Sequence, residues 1–214
     1  MGAKTWMLAY ADGNVAEALG AAPVLDRDAS AALAKRLFPS AELTPLADGD
    51  LSFTSPPRAE LLVGCFPGVS IVAAKEIGID YPSKLPARFL EESSAGSVYL
   101  HAMHSVVDWF AYAVWRNGKL IRSLSVAPDN GVIEDIGARW PFEEPFWSGK
   151  HPVPVDDDGE SAYPLPFHPL ELGEAALKEL FGYQLEAMPD PALLEPDRIP
   201  LARFKRSKPW WRLW

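Results

Sequence analysis

Two histidines three positions apart, His101 and His104, could bind a metal ion or exchange protons near neutral pH. The apolar residues 98–100 before them predict a β-strand, and positions three apart on a strand point to opposite faces of the sheet. We therefore predict no metal site, and we expect one histidine to be buried and hydrogen-bonded while the other lies at a sheet edge. The alternative is a metal site with Asp108 or Asp12 as the third ligand.

Cys65, the single cysteine, lies in the segment 64–68, where glycine and proline end a predicted strand. A nucleophilic thiol needs a nearby base or a positive field to ionise near neutral pH. His101 or His104 could supply the base if their strands are neighbours. The other interpretation is a small buried apolar residue, because free cysteines are commonly buried.

Asp12 and Gly13 follow a predicted strand and precede a predicted helix. Backbone N–H groups at the start of a helix can hold an anion, but the carboxylate of Asp12 suits a cation, a hydroxyl or a helix cap better. The glycine spacing matches neither the phosphate-binding loop nor the dinucleotide fingerprint. A turn followed by a helix cap is the simpler interpretation.

An enzyme site would need several of these groups to converge in one cleft. Asp129, Glu134 and Asp135 are further carboxylates near predicted strand ends. The sequence lacks a G-x-S-x-G elbow, a zinc-protease helix and a kinase motif, which lowers the expectation of catalysis. A small hydrolase or transferase remains the alternative function, with no cofactor predicted and with the candidate catalytic residues Asp12, Cys65, His101, His104 and Asp108.

The last twelve residues interleave cations with aromatic rings. Tryptophan and arginine often dominate protein interfaces, and both suit the surface of an anionic membrane. We expect this tail to bind a protein partner or a second copy of the chain, with weak contact to a membrane surface as a further alternative. It could also fold onto the acidic segment 129–195 of its own chain or of a neighbouring copy. The candidate partner-binding residues are Arg203, Lys205, Arg206, Lys208, Trp210, Trp211, Arg212 and Trp214.

Charge is unevenly distributed along the 214 residues. The formal net charge is −9, yet residues 1–202 hold 15 bases and 29 acids, a net of −14, and segment 129–195 holds 15 acids and three bases. This acidity makes nucleic-acid binding by the body an unfavoured function. Asp12 interrupts any signal-peptide core and no apolar run approaches the roughly 20 residues of a membrane span. We therefore expect a cytoplasmic protein, in keeping with its lone cysteine.

Apolar periodicity and turn residues predict the elements that must position these groups. Asn14 and Glu17 resemble a capping box for a short helix. A firmer helix is expected over about 29–38, capped by Asp28 or Ser30. Another is expected over 169–181, with Pro169 at its first position and Gly182 just beyond its end. Strands are predicted near 5–10, 51–54, 60–66, 69–73, 98–103 and 132–136, with a short helix near 86–92.

A hairpin over 108–127 is the clearest structural pattern. Asn117 and Gly118 favour a two-residue turn, which pairs Trp115 with Leu120 and Ala113 with Arg122. Both faces of the hairpin are largely apolar, whereas a sheet with one wet face alternates apolar and polar residues. We therefore predict a central hairpin, covered by helices on one face and by another layer or a second subunit on the other.

Residues 141–169 contain seven prolines, and an acidic run at 156–160 lies among them. Proline lacks the N–H group that strands and helix interiors require, so a long loop is expected, with aromatic side chains attaching it to the body. The predicted fold is α+β, with one domain over 1–186 around a central antiparallel sheet and a Pro-rich acidic loop at 141–168. Residues 187–214 are predicted to form a Pro-rich, basic–aromatic extension. The attaching aromatic residues are Phe142, Phe146, Trp147, Tyr163 and Phe167.

Five stretches of the chain resemble one family of uncharacterised, mostly actinobacterial proteins that has only a domain-of-unknown-function label. The resemblance extends over nearly the whole chain up to about residue 186 and does not include the tail. It implies a cytoplasmic actinobacterial protein with one α+β domain, and it implies no activity. The matching stretches are residues 2–13, 64–69, 101–109, 125–137 and 163–173.

Overall fold

The strands of the described residues form one antiparallel sheet. The computed structural model describes residues 2–21, 24–92, 96–153, 164–186, 188 and 190–207. The strands of this part of the chain are β1 (Lys4–Ala11), β2 (Glu42–Pro45), β3 (Gly49–Asp50), β4 (Glu60–Phe66), β5 (Val69–Ala73), β6 (Ser97–His104), β7 (Trp109–Arg116), β8 (Lys119–Ala127), β9 (Gly131–Ile136) and β10 (Pro200–Ser207). Their order is β2-β10-β4-β5-β1-β6-β7-β8-β9, with β3 paired to β10.

Helices cover both faces of this sheet, which confirms the α+β class. Their ends follow the sequence closely: Asn14 caps α1 and Gly182, at φ 80°, ends α5. The N-cap of α2 is Asp26 rather than Asp28 or Ser30, because the Asp26 carboxylate accepts a hydrogen bond from the N–H of Ala29. The described helices are α1 (Val15–Gly20), α2 (Arg27–Leu37), α3 (Ala87–Glu91), α4 (Glu144–Trp147) and α5 (Pro169–Phe181).

Alternation along the strands divides the core into two layers. On β7, Phe110 and Val114 belong to the layer that includes α1 and α5, whereas Trp109 and Trp115 belong to the layer with α2 and α3. All four side chains are buried. The prediction of a central hairpin covered on both faces is therefore confirmed, and both covering layers come from the same chain.

The predicted register of the hairpin holds only next to the turn. Trp115 pairs with Leu120, but a bulge then shifts the ladder by one residue, so that Val114 rather than Ala113 pairs with Arg122. The extra residue is Ile121, which is 39% exposed. A bulge redirects the side chains that follow it, and here it accompanies a fully buried Arg122.

Gly137 supports this bulge and offers a test of it. A Cβ at Gly137 would lie 2.1 Å from the carbonyl oxygen of Ile121, and the residue has φ +85°. We expect Gly137→Ala to lower the free energy of unfolding by about 2–4 kcal/mol in urea denaturation, through both strain and steric overlap. Gly118→Ala, at φ +73° with open space around it, should cost only about 1 kcal/mol. Equal losses for the two variants would contradict this explanation.

Two other segments differ from the sequence prediction. No strand forms at 51–54, where Thr54 makes only an isolated bridge to Thr5. The predicted loop contains the short helix α4, and it is attached to the core as expected by Phe142, Phe146, Trp147 and Phe167. Tyr163 and the acidic run 156–160 lie outside the described residues.

The C-terminal segment contributes a strand to the interior of the sheet. β10 pairs with β4 on one side and with β2 on the other, and its Leu201 and Phe204 are buried. Residues 200–207 of the predicted extension therefore belong to the sheet of the body. Pro196 precedes this strand and Pro200 is its first residue, so neither interrupts it.

Candidate functional site

The five predicted catalytic residues occupy four separate places in the fold. His101 is buried on the α5 side of β6, between Thr5 and α5. The neutral ring donates from Nε2 to the carbonyl oxygen of Gly173 at 3.0 Å and accepts the Thr5 hydroxyl at Nδ1 at 2.7 Å. Both nitrogens are thus used inside the core, which suits a structural role.

The burial of His101 predicts a pH-dependent stability. Desolvation lowers the pKa of His101 to about 4, whereas the unfolded chain titrates near pH 6.5. Between about pH 6.5 and pH 4, His101 is therefore protonated in the unfolded state but neutral in the folded state. This group should remove about 3 kcal/mol from the free energy of unfolding as the pH falls from 7 to 4.

Urea denaturation across this pH range measures the effect. His101→Gln should reduce the loss of stability at low pH relative to the unmodified chain. His151→Gln, which removes an exposed histidine, is the matched control. An unchanged pH dependence in His101→Gln would contradict the assignment.

Asp12 and Cys65 line one cleft of about 760 Å³. Asp12 accepts a hydrogen bond from the N–H of Gly96 at 3.2 Å. The backbone of Cys65 fixes the start of α2, since its carbonyl accepts from the N–H of Asp26 and its N–H donates to the hydroxyl of Ser30, both at 2.9 Å. In the described part of the cleft wall no histidine is present, so neither expected base lies beside the thiol. This geometry favours the interpretation of Cys65 as a buried structural residue.

Asp108 lies near a histidine that the sequence analysis did not select. His168 caps α5 by accepting the N–H of Leu170 at Nδ1, and its Nε2 is 3.7 Å from a carboxylate oxygen of Asp108. Both line a cleft of about 860 Å³ together with Glu174. Burial raises the pKa of Glu174. The position of His168 before Pro169 at the start of a predicted helix was the signal available in the sequence.

Two of the three remaining predicted carboxylates bond to neighbouring elements of the fold, and the third lines a cleft. Glu134 accepts hydrogen bonds from the backbone and hydroxyl of Ser83 and from the hydroxyl of Ser123. Asp135 pairs with the buried guanidinium of Arg122. Asp129 lines a different cleft, beside Trp6 and Trp109. These three groups therefore do not converge.

Arg122 is the centre of a buried charged cluster. Its Nη2 and Nε donate to the two carboxylate oxygens of Glu143 at 2.6 and 2.9 Å, and both side chains are fully buried. The Tyr112 hydroxyl donates to the same carboxylate at 2.6 Å. Burial and the charge of Glu143 raise the pKa of Tyr112, so its hydroxyl remains a donor. Because these bonds join Glu143 to Arg122 and to Tyr112, the cluster anchors the loop that carries Glu143 to β7 and β8.

His104 lies at the end of β6, an interior strand, and not at the expected sheet edge. Its ring centroid is 5.6 Å from that of Trp6, on the face of the sheet opposite His101. The prediction that the two histidines point to opposite faces is confirmed. Burial and the charges of Lys4 and Lys75 lower the pKa of His104.

Lys4 and Lys75 form a cationic pair over Trp6 that sequence reasoning missed. Their Nζ atoms lie 4.9 and 4.0 Å from the centroid of the indole ring. Partial burial and the charge of Lys75 lower the pKa of Lys4. The two lysines are about 70 positions apart in sequence, so no local pattern could have joined them.

In the described part of the basic–aromatic tail, two arginines form ion pairs with residues of the same chain. Arg203 pairs with Glu60 at 2.6 Å and Arg206 with Glu76 at 2.8 Å. These acids lie outside segment 129–195, which was the expected internal partner. Lys205 is exposed, while Lys208, Trp210, Trp211, Arg212 and Trp214 lie outside the described residues.

Among the described residues, no helix has the length and apolar character needed to cross a membrane. No group of three or more histidine, cysteine, aspartate or glutamate residues in that part of the chain is placed to hold a metal ion.

Comparison with known proteins gives one match. Residues 5–204 match the model of a family of unknown function (DUF6928). No curated protein and no solved structure matches the chain.

Proposed function

Because the chain belongs to the family of unknown function DUF6928, whose description names no activity, we propose its function from the arrangement of its own residues. We propose a non-catalytic or regulatory protein-interaction module that docks through its basic–aromatic C-terminal end. Its location would be the cytoplasm and its source, following the sequence resemblance, an actinobacterium. The partner would be another protein or a second copy of the chain.

The scatter of the candidate catalytic groups supports a non-catalytic role. Asp12 and Cys65 share one cleft, whereas His104 and Asp108 line two others. His101 has both ring nitrogens bonded inside the core. Acid–base or nucleophilic chemistry needs at least two such groups within hydrogen-bond reach of one substrate.

The position of β10 is the observation that carries the proposal. Because this strand is paired on both sides, its last residue, Ser207, has a fixed place in the sheet, and residues 208–214 follow it in the sequence. That short segment contains Lys208, Arg212 and three tryptophans. A tethered group of tryptophan and basic residues is typical of the few side chains that dominate binding energy at interfaces.

A chain ending at Ser207 tests this proposal, because it keeps β10 whole. We expect the shortened chain to stay folded but to lose self-association in sedimentation analysis, or to lose the partner that the full chain retains after crosslinking. Replacing Trp210, Trp211 and Trp214 by alanine should have the same effect. Lys35→Gln with Lys119→Gln, which removes two exposed charges elsewhere, is the control.

The outcome separates three explanations. A shortened chain that keeps its oligomeric state and its crosslinked partners would refute docking through the tail. If the full chain binds anionic but not neutral vesicles, and the shortened chain binds neither, the tail binds a membrane surface instead of a protein partner. Loss of association in the shortened chain, with no vesicle binding by the full chain, would support the proposal.

A further inference from the structure

A cationic cleft lies beside β1 and the turn that follows β5. It has a volume of about 630 Å³, and Lys4, Arg58 and Lys75 line it together with Trp6 and two prolines. The chain as a whole carries a net charge of −9. The cleft therefore concentrates three positive charges on a molecule whose overall charge is negative.

These cations are not neutralised within the described structure. The one carboxylate among the described lining residues is Glu76, and its Oε1 is held by Arg206 at 2.8 Å. Neither Lys4 nor Lys75 has a carboxylate oxygen within 4.0 Å in the described part of the chain. Both ammonium groups stand over the same indole ring, where their mutual repulsion is unfavourable and an anion would relieve it.

A second cleft of about 350 Å³ adjoins the first, since Trp6 and Lys75 line both. It adds three ring-bearing side chains and two carboxylates: Tyr81, His104, Trp109, Asp80 and Asp129. Aromatic walls offer contact area to a flat ring. Nδ1 of His104 is buried there and has no hydrogen-bond partner among the described residues. Aromatic side chains beside a few convergent polar groups are common features of small-molecule sites.

We propose that the two clefts form one binding site for a small organic phosphate. The phosphate group lies between Lys4, Lys75 and Arg58, and a planar ring attached to it lies along Tyr81 and Trp109. A phosphate monoester carries a charge of about −1.5 to −2 near neutral pH, so it can satisfy both lysines at once. A carboxylate has one charge and leaves one lysine uncompensated.

Calorimetric titration of the full chain tests the site with four probes: inorganic phosphate, adenosine monophosphate, adenosine and acetate. We expect adenosine monophosphate to bind more tightly than inorganic phosphate, and both to bind more tightly than adenosine or acetate. Lys4→Gln and Lys75→Gln should each weaken the binding of adenosine monophosphate about tenfold, the loss typical of one charge-assisted hydrogen bond. Lys119→Gln should leave it unchanged.

Each contrary result has a definite meaning. Equal binding by Lys75→Gln and the unmodified chain would overturn the site, provided that both unfold at the same urea concentration. No detectable binding of either phosphate would also overturn it. Binding of inorganic phosphate that equals that of adenosine monophosphate would refute the placement of the ring, and Tyr81→Ala, at an exposed position, gives an independent check of that placement.

Discussion

A chain that ends before β10, at Ile199, is expected not to fold. The deletion removes the buried side chains of Leu201 and Phe204 and uncovers the strands on both sides of β10. Core truncations of leucine and phenylalanine to alanine cost about 2–5 and about 3–5 kcal/mol. Together they amount to about 5–10 kcal/mol before the lost ladders are counted, which is comparable with the roughly 5–15 kcal/mol by which domains are stable.

Circular dichroism and thermal unfolding distinguish this chain from one that ends at Ser207. The longer chain should show a cooperative transition close to that of the full sequence, since every residue of β10 is kept. The shorter chain should show no cooperative transition. A native-like transition in the chain ending at Ile199 would mean that β10 contributes little to the sheet.

Glu143→Gln is expected to lower the free energy of unfolding by about 3–5 kcal/mol. The substitution keeps the shape of the side chain but removes the charge that balances Arg122, and both side chains are fully buried. The guanidinium would then remain desolvated with only the more exposed Asp135 as its counter-charge. Urea denaturation at neutral pH measures the loss.

Two further variants locate the cause of that loss. Asp135→Asn removes the partner that is 33% exposed, and we expect it to cost no more than about 1 kcal/mol. Replacing Arg122 and Glu143 together by methionine should restore much of the stability, because apolar residues often substitute well for a buried ion pair. A double variant less stable than Glu143→Gln would show that shape rather than charge determines the effect.

Local patterns in the sequence account for the elements that were predicted well. Asn117 and Gly118 define the turn between β7 and β8, and Gly182 ends α5 at the expected position. Period-two alternation also placed His101 and His104 on opposite faces. In each case the determining residues lie within a few positions of one another, so the pattern contains the information.

Features that depend on distant contacts were not predictable in this way. The bulge at Ile121 accompanies a bond between Arg122 and Glu143, 21 positions away. The strand β10 has prolines before it and a basic composition, which locally indicate an extended tail. Its place in the sheet depends on β4 and β2, and no local signal reports such pairing.

The candidate sites likewise depend on contacts between distant residues, which local sequence patterns do not reveal. Asp12 and Cys65 meet in one cleft because β1 and β4 both pair with β5, an arrangement that the sequence does not contain. The cationic pair over Trp6 joins β1 to the turn after β5. Residue types at strand ends could be recognised from the sequence, but which of them converge is decided by the order of strands in the sheet.

The place of β10 also sets an order of events during synthesis. Arg203 and its partner Glu60 are separated by 143 positions, so β4 leaves the ribosome long before the strand that covers its edge. At ribosomal rates of about 5–20 residues per second, that edge stays open for roughly 7 to 28 seconds. An open strand edge is a template for pairing with other chains. The nascent protein is therefore most exposed to aggregation in this interval, and a chaperone that shields strand edges would act on it then.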